Sequence, residues 1–212
     1  SGFNNVDSLD ITAGGRITAM EGIDNIIAGE WIATGNITVT SALISGTAFD
    51  GDIVRLTAPG NIENASVKAT KYAWLDTRTA DGTGGSGLNT VVTGKGVGGS
   101  NGVIVYADQD VKGLTATADT ASIFVRTTNG SIEGSTLIGE NIANVSAGSN
   151  ILDNTITATG AGVTQIVAGT SAAIEQALID GNVVTLGGPL KLDGKDKTLV
   201  SDNTIGALGY MN

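Results

Sequence analysis

The chain has 212 residues, enough for one ordinary domain, yet 32 of them are glycine, only 4% are aromatic and 41% are hydrophobic. It holds no cysteine and no histidine, which excludes disulfides, thiolate nucleophiles, histidine-based zinc or haem ligation, and every Ser-His or Cys-His catalytic arrangement. Eleven basic against 21 acidic side chains leave a net charge of −10, which repels nucleic-acid backbones and anionic membrane surfaces alike. No apolar run approaches the roughly 20 residues that cross a bilayer as a helix. The opening residues lack the basic region and apolar stretch of a signal peptide, so a soluble or already processed chain is expected. An acidic, Thr-, Asn- and Gly-rich, lysine-poor chain without cysteine fits an extracellular or cell-surface protein.

Self-similarity organises the chain. Residues 11–17 (ITAGGRI), 32–37 (IATGNI), 56–62 (LTAPGNI), 126–132 (RTTNGSI) and 145–151 (VSAGSNI) each read as an apolar strand end, a small polar turn with glycine or asparagine, and a new apolar start. A weaker copy, LGGPL, lies at 186–190. Short strands are expected at 37–39, 53–56, 103–106, 123–125, 156–158 and 183–186, where β-branched residues cluster. Such pieces cannot make an independent sheet. Sharp bends every few residues, repeated at about 20, instead specify an all-β parallel β-helix, a β-solenoid of right-handed hand, with a β-sandwich as the alternative. Stacked coils bury a narrow column of Ile, Val, Leu and Ala, which accounts for the scarcity of aromatics. Asn36, Asn61 and Asn150, each just before an inward isoleucine, are placed to tolerate left-handed backbone and could stack as a ladder, with a generic turn role as the leading reading.

Two segments break the pattern within this single domain. Residues 79–101 carry eight glycines in 23 positions and read as a long excursion from the coil. Residues 170–181 place Ile174, Ala177 and Leu178 at helical spacing with Gly181 as a C-cap, so a short helix is expected.

Few residues suggest chemistry. Gly94, Gly96 and Gly99 satisfy a dinucleotide-type glycine pattern, but no helix is expected after them, so a structural loop is the reading. Asp50 with Asp52, and Asp108 with Asp110, share one face of an extended backbone. They are candidate calcium ligands, with solvated turns and a glycosidase-like acid and base as the other readings. If Ala73 and Leu75 point inward, Tyr72, Trp74, Asp76 and Arg78 share an outer face suited to sugar hydroxyls or a partner subunit. The alternative is that the two rings form a core layer. Thr115 with Thr117, and Thr155 with Thr157 and Thr159, could set hydroxyls in rows, although threonine is favoured on any pleated surface.

The stretches ITAGGRITA at 11–19, IIAGEWIATGNITV at 26–39 and RLTAPGNIENASV at 55–67 resemble the haemagglutinin-type repeats of large secreted bacterial adhesins. That resemblance implies a right-handed β-helix exported by two-partner secretion or autotransport. An open solenoid exposes a sheet edge at each end. Phe3 and Val6 at one end, and Leu199, Val200, Ile205, Leu208 and Tyr210 at the other, are therefore candidate self-association residues. The leading expectation is a non-enzymatic structural subunit that joins head to tail into a fibre or surface layer. An adhesin fragment that binds glycan or a host protein is the alternative, and a polysaccharide-active enzyme a third.

Overall fold

The computed structural model describes residues 8–11, 26–33, 36–40, 43–96, 101–194 and 198–207. Every strand pairing is parallel, and coils about 21 residues apart stack into a β-solenoid of about 7 turns. This is the coil architecture that the resemblance to haemagglutinin-type repeats implies. Phe3, Val6, Leu208 and Tyr210 lie outside the described residues.

Each coil contributes three strand segments. In the middle coils the first is two residues long, as in Ile62–Glu63, Gly87–Leu88, Val111–Lys112, Ile132–Glu133 and Ile151–Leu152, which stack in register, and it lengthens to four in Ala177–Asp180 and Thr198–Ser201. The second and third often run as one bent strand, as in Thr136–Ser146. In the second, Phe49, Val67, Val92, Ala116, Leu137, Ile156 and Val184 stack inward. In the third, Leu56, Leu75, Val105, Val125 and Val145 do the same. One thin apolar column results, of the small and branched side chains that the composition foretold.

The corner after the first segment explains why that segment is so short. Residues there lie in the left-handed region: Gly46, Asn64, Asn89, Gly113, Gly134, Asp153, Gly181 and Asp202, with φ between 47° and 65°. Glycine, asparagine and aspartate are the residues that enter this region at least cost. The next position turns back into the core and carries a polar ladder. Asn154 donates from Nδ2 to Asn182 Oδ1 at 2.9 Å, and Asn182 donates likewise to Asn203 at 2.8 Å. Each amide also donates to a backbone carbonyl of the preceding coil, so Asn154 and Asn182 are buried without loss. The expected ladder of Asn61 and Asn150 takes another form. Their side-chain oxygens accept the backbone N–H groups of Ser86 and Leu178 in the next coil.

Two expectations need correction. Residues 170–181 hold no helix: Ala177–Asp180 is a strand whose Ala177 and Ile179 face the core. The i, i+2 alternation of a strand outcompetes the apparent helical spacing because it extends the stack on Ile151–Leu152. Residues 79–101 are not one long excursion. Gly87–Leu88 and Val91–Gly94 are ordinary segments of a coil, so the departure at its start is a widened corner, residues 77–86.

Candidate functional site

The third strand segment presents an outer face that differs from the rest of the surface. With Val54, Leu56, Ala73, Leu75, Val103, Val105, Ile123 and Val125 buried inward, alternation turns their neighbours out. Two outer rows follow from the register. Arg55, Trp74, Ile104 and Phe124 align across four coils, and Asp76, Tyr106, Arg126 and Ser146 align beside them. Tyr72 stands in the same strand as Trp74. Four of the chain's eight aromatic residues and, with Arg78, three of its four arginines therefore gather on or beside one face of an acidic protein.

These side chains interlock. The Arg55 guanidinium lies 5.4 Å from the Tyr72 ring centre and 5.6 Å from that of Trp74, and its Nε donates to the Tyr72 hydroxyl at 2.9 Å. Trp74 and Tyr106 meet edge to face, with centroids 6.1 Å apart. Arg78 caps Tyr106 at 4.0 Å and grips Asp76 with two hydrogen bonds of 2.8 and 2.7 Å. Those bonds raise the arginine's pKa against the opposing effect of its burial. Stacked rings and guanidinium planes of this kind hold one another rigid. Ile104, although it faces outward, is only 8% exposed, with Trp74 and Phe124 as its neighbours on the two flanking strands. The Arg126 side chain is exposed and has no hydrogen-bond or ion-pair partner among the described residues.

Two open depressions lie along this face. One, of about 370 Å³, is lined by Tyr106, Phe124, Arg126, Asn144 and Ser146. The other, of about 530 Å³, is lined by Asp76, by Arg78 to Gly82 of the widened corner, and by Asp108, Thr128 and Asn129. Asp108 pins that corner. Its Oδ2 accepts the N–H groups of Thr79 at 2.7 Å and Gly84 at 3.0 Å and the Thr79 hydroxyl at 3.2 Å. Burial pushes its carboxyl upward, but these donors and the Thr128 hydroxyl outweigh burial and hold it below the ordinary carboxylate value. Asp81, at the tip, is drawn down to about 2 by the Thr79 and Thr83 hydroxyls and the Thr83 N–H.

The four expected face residues, Tyr72, Trp74, Asp76 and Arg78, are thus brought together outside the core, as the outer-face reading requires. The acidic pairs are not assembled as sites. Asp50 pairs with Lys68 and Asp52 with Lys71, each at 3.1 Å, and Asp52 also accepts from Thr70. Asp110 pairs with Lys112 and accepts the Ser131 N–H. Each carboxylate serves a contact within or between coils, and among the described residues no three acidic side chains converge as metal ligands. Sequence reading missed Arg55, Tyr106, Phe124 and Arg126. The signal was an outward-inward-outward triplet, RLT at 55–57, WLD at 74–76, IVY at 104–106 and FVR at 124–126, obscured because the widened corner stretches one interval. Compared with protein-family models, curated proteins and solved structures, the chain matches none, so this face is read from its geometry alone.

Proposed function

We propose that the protein is a non-enzymatic, extracellular binding module whose third-strand face engages a glycan or a partner protein. The observation that carries this reading is the gathering of Tyr72, Trp74, Tyr106, Phe124 and three arginines on one outer face of a chain that is poor in both kinds of residue. Ring faces stack on the apolar faces of sugars or on partner side chains, and guanidinium groups add directed donors. Trp74→Ala and Tyr106→Ala are expected to weaken binding on a glycan array or in partner capture by about tenfold or more, with an unchanged far-UV spectrum. Undiminished binding by both variants would overturn the reading.

A second reading, end-to-end association, rests on the last described coil. Leu192, Val200 and Ile205 continue the three inward stacks but are 36%, 53% and 54% exposed, whereas Ile166, Ile179 and Val184 one coil earlier are at most 2% exposed. Asn203 accepts from Asn182, while its own N–H meets no acceptor among the described residues. Another copy could continue both the stacks and the ladder, and Leu199, 52% exposed, lies at the same edge. Negative-stain microscopy across a concentration series, with and without calcium, tests it: uniform fibres support the reading, and discrete short rods at every concentration refute it.

A further inference from the structure

The outer surface of the second strand segment carries a different pattern, and it depends on none of the ring and arginine contacts. From residue 91 onward, six successive coils place their outer side chains in two parallel rows. One row is Val91, Thr115, Thr136, Thr155, Val183 and Thr204. The other is Thr93, Thr117, Ile138, Thr157, Thr185 and Gly206. Neither row contains a charge, a carboxamide or an aromatic ring. The restriction is local, because the corresponding positions of the two preceding coils hold Lys68 and Asp50, which form an ion pair.

The state of the hydroxyls is the second observation. Threonines at the corners are engaged with the protein: Thr77 donates to Gly85, Thr90 to Leu88 and Thr127 to Gly130. None of the eight threonine hydroxyls in the two rows bonds to a described residue. They stand free beside apolar neighbours that are themselves exposed, Val91 at 49%, Ile138 at 41% and Val183 at 46%. Adjacent coils are about 4.8 Å apart and alternate residues of one strand about 6.7 Å apart. β-Branched side chains have few χ1 choices, so the two rows hold their hydroxyls and methyls at near-regular intervals set by the register of the coils.

Such an array is poorly suited to a folded protein, which would need anchors that fill pockets, and it has nothing to pair with an ionic ligand. It suits a ligand that is itself periodic in two directions and offers only water-like hydrogen-bond partners. We propose that this face binds the ordered water of an ice surface, the hydroxyls entering the water lattice and the methyls lying between its rows. The test is partition of the purified chain into a slowly grown ice hemisphere, together with ice recrystallisation. Enrichment in ice is expected for the natural chain and for Trp74→Ala. Loss to the background of a non-binding protein is expected for Thr136→Lys and Thr157→Lys, each checked for an unchanged melting profile. Exclusion of the natural chain from ice would overturn the proposal, as would full retention of ice binding by both lysine variants. Binding to microcrystalline cellulose in place of ice, or a dimer that the lysine variants disperse, would replace ice with those occupants and likewise overturn it.

Discussion

Asp108 is more than nine-tenths buried and does its work through hydrogen bonds that its neighbour Asp110 does not share. Its partners, Thr79 and Gly84, lie 29 and 24 residues earlier, so adjacency in the chain with Asp110 said nothing about its role. Asp108→Ala leaves the N–H groups of Thr79 and Gly84 without their acceptor in a buried corner. It is expected to cost about 2 to 3 kcal/mol, read by urea denaturation. A cost below experimental error would show that the corner is held by its own turn. Acid dependence follows from the same chemistry. Asp52, Asp81 and Asp108 all titrate below their ordinary value in the folded chain, so the unfolded chain takes up protons first as pH falls. The stability they contribute is complete above the ordinary carboxylate pKa of about 3.9 and is lost as pH drops through the folded values, near 2 for Asp81. Melting temperature should therefore be insensitive to these groups between pH 7 and 5, and should fall below about pH 4. A decline that is already under way at pH 6 would assign acid sensitivity to other groups.

At the scale of the element, the two-residue strand and its left-handed corner are the unit of the fold. Gly134 has φ +56° with no atom within 4 Å of where a Cβ would stand, so Gly134→Ala meets only the backbone penalty, about 1 to 2 kcal/mol. Gly134→Asn should be nearly neutral, because Asn64 and Asn89 already occupy this corner in other coils. Gly148→Ala differs in kind, since its Cβ would fall 2.2 Å from the Thr128 carbonyl oxygen, and it should lower the melting temperature far more than either. Equal losses for all three would mean that the corner geometry is not limiting. These corners were legible in the sequence as recurring small polar turns, and so was the apolar content of the stack. The Asn154–Asn182–Asn203 ladder was not, because its members are 28 and 21 residues apart and the interval between them varies. The helix expected at 170–181 failed for a related reason. A window of twelve residues contains no trace of the coil beneath it, and contact with that coil decides the local structure.

Over the whole molecule, every strand pairing among the described residues joins adjacent coils, and only corner side chains such as Asn129, which reaches Gly82, span further, so stability is close to a sum of similar layers and depends on position along the stack. Leu137 is fully buried, with coils on both sides, and Leu137→Ala should cost about 2 to 5 kcal/mol. Ile205 holds the same place in the last described coil yet is 54% exposed, and Ile205→Ala should cost under about 1 kcal/mol in the isolated chain. The comparison also separates the two functional readings. If end-to-end association operates, the Ile205 side chain becomes a core residue at high concentration. Ile205→Ala should then leave dilute stability almost unchanged and still shift the sedimentation profile toward the monomer, whereas Trp74→Ala should leave the sedimentation profile unchanged. If both variants sediment like the natural chain at every concentration, the open coil is not an interface.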